Sequence, residues 1–243
     1  GFAYVSGMNR TILRVSGDDR AKFLQGLLTR DVPVTGLGYA ALLSPQGKYL
    51  ADFVTFADLE ALYLDVASDM APELAQRLSM YRLRSKVTIE DSGLTVARGL
   101  DDMPTGALPD PRPGMGWRHY GVRGGDEVDW NAVRVENMVP QAGAELIPNE
   151  SYILEMGFER LGGVDFKKGC YVGQEIVARM KHKTELRKGL ARVQGAVSPG
   201  AAILSDGRPA GTVHTVSGNR ALAYLRFDRA EGMATEAGPL TLA

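Results

Sequence analysis

A single cysteine, Cys170, is all the thiol chemistry in this 243-residue chain. No intramolecular disulfide can form, so a disulfide-stabilised secreted scaffold is excluded and a reducing cytoplasm is the expected location. Long apolar runs are missing as well. No stretch of eighteen apolar residues occurs, and Gly1 to Gly17 holds none of signal-peptide length, so neither secretion nor a membrane span is expected. Charge of one sign is not in excess: 28 Lys and Arg stand against 29 Asp and Glu, and nothing draws the whole chain to nucleic acid or an anionic membrane. The three histidines, His119, His182 and His214, stand singly, so no metal site is expected. Repeats and low-complexity tracts are lacking too. With 44% hydrophobic and 23% charged residues, the composition is that of a globular protein with room for two or more cores.

Thr11 to Val15 alternates as a half-buried strand, and Ser16-Gly17-Asp18 supplies turn and N-cap chemistry before a helix expected over Asp18 to Leu28. Tyr39 to Leu43, the turn Ser44-Pro45-Gln46-Gly47 and Lys48 to Phe56 read as a hairpin, with Leu62 to Val66 as a further strand. Pro72 opens a helix expected to carry Leu74, Leu78, Tyr81 and Leu83, and Val87 to Glu90 returns to period two. Asp101 to Gly116 is loop composition, expected to join two subdomains, and Asp129 to Asn137 is expected to be helical. Beyond Arg187, short apolar runs between Gly, Pro, Ser and Asp predict a small β-barrel or sandwich. The fold class expected is therefore α+β, with one subdomain over 1–100, a second over 101–186 and a C-terminal β-barrel over 187–243.

One segment concentrates chemistry. Lys167-Lys168-Gly169-Cys170-Tyr171-Val172-Gly173-Gln174-Glu175 reads as a loop feeding a helix, with Ile176, Val177 and Met180 on its buried face. A cysteine before a helix N-terminus, beside two lysines, is placed to act as a thiolate. The glycines let backbone approach a ligand closely. From Lys167 to Lys188 there are seven Lys or Arg plus His182 against Glu175 and Glu185, a basic strip suited to a polyglutamyl tail, a phosphate or an RNA backbone. Its one aromatic, Tyr171, gives little sign of base stacking.

The run Gly162 to Glu175, continuing through Ala178-Arg179, resembles the signature of the YgfZ family, paralogues of the glycine-cleavage T-protein that include mitochondrial iron–sulfur assembly factors. Phe23-Leu24-Gln25-Gly26, Ser44 to Lys48, Tyr81 to Ile89, Asp110-Pro111-Arg112 and Arg187-Lys188 extend the resemblance over nearly the whole chain. It implies a T-protein-like fold of α+β subdomains around a central opening, with a C-terminal β-barrel. It also implies tetrahydrofolate or another reduced folate bound in that opening, and a supporting role for iron–sulfur enzymes, including those that modify tRNA. Carried over by position, Cys170 is the functional thiol, Trp130 lines the folate pocket, Glu136 faces the pterin, and Lys168, Gly169, Tyr171, Gly173, Gln174 and Glu175 complete the ligand-binding set. A carboxylate suits a pterin because its two oxygens accept paired N–H donors.

The chain departs from the family pattern at three points. It reads Glu136-Asn137-Met138 where Glu-Ala-Gly is usual, and Arg10 stands where some members carry a second pocket Trp. The T-protein's catalytic aspartate would fall near Asp91, in flanks that do not match. Two other functions therefore stand beside the accessory role: a tetrahydrofolate-dependent aminomethyl or one-carbon transferase using Asp91, and an RNA contact through the basic strip. One thiol cannot hold an iron–sulfur cluster alone, so Cys170 would work with an iron–sulfur client or assembly protein.

Overall fold

The computed structural model describes residues 9–182 and 185–243. Strand β1 (Arg10–Ser16) lies inside a five-stranded antiparallel sheet with β2 (Gly38–Leu43), β3 (Tyr49–Ala57), β4 (Ala61–Ala67) and β5 (Thr88–Asp91), in the order β2-β3-β4-β1-β5. β1 pairs with β4 in a register that sets Leu13 opposite Leu64. Helices α1 (Arg20–Gln25) and α2 (Ala71–Arg82) cover one face, burying Leu24, Leu28, Phe53, Leu64, Leu74 and Leu78. The other face packs on a second core of Tyr39, Tyr49, Val135, Leu146, Ile153, Phe158 and Tyr171. β2 is therefore buried at every position and lacks the alternation of a one-faced strand.

The helix expected over Asp18 to Leu28 is shorter than its apolar spacing indicated. α1 stops at Gln25, Gly26 follows, and Leu27 and Leu28 turn away from the helix while remaining buried. Strands β6 (Val96–Gly99), β7 (Leu108–Pro109) and β8 (Trp117–Tyr120) form a small sheet in the order β6-β8-β7. β6 pairs with β8 across the boundary expected after residue 100, so the Pro-rich stretch between them is a loop within one sheet. Asp129 caps α3 (Trp130–Asn137), its carboxylate accepting from the Asn131 and Ala132 amides at 3.0 Å each. Helix α4 (Gln174–His182) follows the cysteine segment.

The C-terminal strands β9 (Lys188–Gly195), β10 (Ala202–Ser205), β11 (Arg208–Ser217), β12 (Arg220–Arg226), β13 (Met233–Thr235) and β14 (Gly238–Leu242) close a barrel. Ala221, Ala223 and Leu225 of β12 fill its interior, whereas Leu222, pointing the other way, joins the Tyr39 core and docks the barrel. No helix among the described residues is long and apolar enough to cross a membrane.

Candidate functional site

The segment from Gly162 to Val172 runs beside the turn that leaves α1 and is bonded to it along its length. Arg30 Nη1 donates to the Gly162 carbonyl at 2.8 Å and Thr29 Oγ1 to the Gly163 carbonyl at 2.6 Å. The Asp165 amide donates to the Thr29 carbonyl at 3.0 Å, and the Val172 amide to the Gly26 carbonyl at 3.1 Å. Lys168 joins the two at the centre. The last carbonyls of a helix lack intrahelical donors, and Lys168 Nζ supplies one to Gln25, the last residue of α1, at 2.6 Å and another to Leu28 in the turn beyond it at 2.7 Å, while lying 3.3 Å from Asp31. An ammonium has three N–H donors, and each has a partner here. Burial pushes Lys168 below its ordinary lysine range against the opposing pull of Asp31. The lysine expected among the ligand contacts is thus committed to the protein's own backbone.

Two residues beyond this anchor, Cys170 is exposed. A Cβ added at Gly169 would meet nothing within 4 Å, so the approach to the thiol is open on that side. Tyr171, by contrast, is 7% exposed and sits in the core, where burial pushes its phenol up to about 12. Gly173 has φ +84°, and a Cβ there would lie 2.6 Å from the Ser44 carbonyl oxygen. Gly47, at φ +72°, would in turn meet Ile176 at 2.6 Å. The Ser44–Gly47 turn and the start of α4 are therefore one close contact, and its glycines serve packing. Gln174 Nε2 reaches back to the Gly169 carbonyl at 3.4 Å, and Glu175 pairs with Arg179 at 3.1 Å along α4. Three residues, Tyr171 to Gly173, separate the thiol from the first helical residue.

Trp130 lies elsewhere, on the wall of a cavity of about 420 Å³ shared with Arg10, Thr95, Arg98, Arg123 and Asp126. Arg10 and Arg98 also line a second, small polar chamber with Asp52, Arg112, Arg118 and Arg134. Asp65, fully buried, accepts from Arg10 Nε at 2.7 Å, from Tyr120 at 2.8 Å and from Arg118. Asp110 accepts from Arg112 at 2.8 Å and Arg118 at 2.7 Å. Burial alone would raise these carboxyls. The arginines more than reverse it, holding Asp110 well below the usual carboxylate range and Asp65 below its own. Arg134 pairs with Glu145 at 2.9 Å, and both reach Thr215 of β11, which ties α3 to the barrel.

Glu136 does not line this cavity. Its carboxylate lies 2.7 Å from Arg220 and 3.3 Å from Arg192, against the barrel. The helix rotation that buries Trp130 sends Glu136 to the other side. Met138, where the family pattern has Gly, takes a left-handed conformation at φ +52° to end α3, the backbone position glycine favours. Asp91 is exposed at the edge of the sheet and accepts from the Gly93 amide at 2.8 Å, capping a turn outside the cavity. In the basic strip, Lys181 pairs with Glu159, and Arg179 with Glu175. Lys183 lies outside the described residues. The arginine lattice was not foreseen as a site. Its one signal was Asp110-Pro111-Arg112, together with arginines set at strand positions in β6 and β8.

A docked C-terminal barrel and mixed α+β layers define an aminomethyltransferase-type fold. The crystal structure of glycine cleavage system aminomethyltransferase T from Bartonella henselae matches 97% of this chain and 82% of its own at a TM-score of 0.70, with 11% identity. Residues 187–243 match the C-terminal β-barrel domain of CAF17. The chain is 32% identical to the mitochondrial iron–sulfur cluster assembly factor IBA57 of Homo sapiens, over 92% of this chain and 77% of that protein. It is equally identical to that of Mus musculus, and 29% identical to the homologue of Phaeosphaeria nodorum over 95% of this chain and 72% of that protein. The chain belongs to the CAF17/IBA57 family. These relatives are named as mitochondrial, which overturns the cytoplasmic location expected from composition. An unpaired cysteine distinguishes reducing from oxidising surroundings, and it does not distinguish one reducing compartment from another.

Proposed function

We propose that this chain is a tetrahydrofolate-binding accessory protein for iron–sulfur cluster assembly or repair, presenting Cys170 to assembly or client proteins, with tRNA-modifying iron–sulfur enzymes among the clients. The observation that carries this is a thiol open to solvent on a loop whose base is fixed by Lys168, Val172 and Gly173. A single thiolate on a rigid mount cannot enclose a cluster, which needs about four ligands, but it can offer one donor to a site completed by a partner. The relatives' names as iron–sulfur cluster assembly factors support that role.

Reduced folate fits the Trp130 cavity in kind. The indole provides an aromatic wall, Asp126 keeps one carboxylate oxygen, Oδ1, for an N–H donor while its Oδ2 accepts from the Leu100 and Asp101 amides, and the guanidinium groups provide donors for carbonyl oxygens. The one-carbon transferase reading has less support, because its carboxylate, Asp91, caps a turn away from this cavity. An RNA contact is likewise weaker, with Arg179 and Lys181 already paired.

Two measurements test the proposal. Reduced folate is expected to bind in calorimetry and to quench Trp130 emission; heat of binding with no change in emission would place the ligand away from Trp130, and no heat would remove folate from the function. In extracts of cells lacking the protein, wild-type protein is expected to restore iron–sulfur enzyme activity and protein alkylated at Cys170 to fail. Equal recovery with both would take the thiol out of the mechanism.

A further inference from the structure

The guanidinium lattice behind Trp130 lacks one negative charge. Five arginines, Arg10, Arg98, Arg112, Arg118 and Arg134, line the chamber. Four carboxylates stand beside them: Asp65, Asp110 and Glu145 pair with arginines, and Asp52 accepts from the Tyr39 and Tyr49 hydroxyls at 2.9 and 2.6 Å. Four of the five arginines pair within 4 Å of a carboxylate, and Arg98 is the exception among the described residues. Residues 1–8 and 183–184 contain no Asp or Glu, so no acid there can complete the set. Arg98 Nε is sealed from solvent with no acceptor among the described residues. The guanidinium lies on the indole face of Trp130, 3.9 Å from the ring. Asp126 shares the cavity, but its carboxylate is turned to the amides of Leu100, at 2.8 Å, and Asp101, at 3.3 Å.

An arginine keeps its proton in a protein. Burial, with repulsion from Arg118, Arg112 and Arg10, pushes Arg98 well below the ordinary arginine range, which makes its charge costly to hold without a counter-ion. The neighbouring guanidinium groups meet this cost with carboxylates, several of them in close, charge-assisted contact. Arg98 opens to the 420 Å³ cavity, where a ligand can do the same.

We propose that Arg98, backed by Trp130 and flanked by Arg10 and Arg123, is a carboxylate-binding subsite, filled by the carboxylate of a small-molecule ligand. This goes beyond the folate reading and does not depend on it, since the carboxylate can come from a folate's glutamate or from a free small dicarboxylate.

Calorimetry on the full chain at fixed ionic strength tests the proposal, with sodium glutarate, reduced folate and tetrahydropteroate, which lacks glutamate, as separate probes. Wild-type protein is expected to bind glutarate or the folate saturably. Arg98→Met is expected to weaken that binding at least tenfold, and Arg98→Lys to retain part of it. Loss of glutarate binding in Arg98→Met assigns the free dicarboxylate; loss of folate affinity with tetrahydropteroate unaffected assigns the glutamate tail. Either supports the subsite. Carboxylate binding unchanged in both variants, or no saturable binding of any carboxylate by wild type, overturns it. Reduced folate binding equally to wild type and Arg98→Met would uphold the folate reading by itself. Arg98→Met is expected to melt no lower than wild type in the absence of ligand, and glutarate to raise the melting temperature of wild type only. A glutarate-induced rise of the same size in Arg98→Met overturns the assignment.

Discussion

Replacing Lys168 with methionine tests whether the cysteine loop is held from below. The substitution keeps the apolar stem and removes the ammonium, leaving the carbonyls of Gln25 and Leu28 without their 2.6 and 2.7 Å donors. A hydrogen bond to a charged group contributes about 1.5–3 kcal/mol net. The ion pair to Asp31 adds little, because that carboxylate's side chain is 52% exposed and screened by water. With two such bonds removed, Lys168→Met should therefore lose about 3–6 kcal/mol. In a chain of this size that is a fall of roughly 10 °C in melting temperature. Denaturant titration followed by circular dichroism measures the loss, and amide exchange over residues 165–173 should accelerate in the same variant. A melting point within about 3 °C of wild type, with exchange unchanged, would show that Lys168 does not anchor the loop and that its charge is free for another use.

Gly173→Ala should destabilise by about 1–3 kcal/mol, since φ +84° is costly for alanine and its Cβ would press on the Ser44 carbonyl. Gly169→Ala, in open space at ordinary φ, should change stability by less than about 0.5 kcal/mol, so equal effects in denaturant titration would refute the packing role of Gly173. Asp110→Asn should cost about 3–5 kcal/mol by stripping a buried partner from Arg112 and Arg118; a loss below about 1 kcal/mol would contradict the lattice. The native Asp110 carboxyl lies well below its unfolded value of about 3.9, so its contribution is complete above that value and drains away as pH falls below it. Wild-type stability should accordingly decline more steeply below about pH 4 than that of Asp110→Asn, and parallel acid limbs would refute the assignment.

The parts of this architecture that repeat a local period are legible in the amino-acid sequence. Leu74 and Leu78 announced α2, the Ser44-Pro45-Gln46-Gly47 turn announced the β2–β3 hairpin, and short apolar runs after Arg187 announced the barrel. The cysteine segment was legible as a site because unusual residues are adjacent in sequence. The arginine lattice was not, because Arg10, Arg98, Arg112, Arg118 and Arg134 come from strands, a loop and a helix that meet only in three dimensions. Asp65 shows the difficulty well. In the run Leu62 to Val66 it occupies the position of a solvent-facing strand residue, and it is fully buried because two arginines and Tyr120 reach it from other strands. Glu136 shows the converse, since correspondence with a family motif did not fix which way a side chain points on a short helix.

The exposed thiol can be examined most directly by genetic rescue. Cells lacking the protein are complemented with wild type or Cys170→Ala, and iron–sulfur enzyme activity is measured beside the abundance and melting temperature of the complementing chain. The exposed position predicts that Cys170→Ala accumulates and melts like wild type yet leaves the enzymes inactive. Full activity restored by the alanine variant would contradict the account.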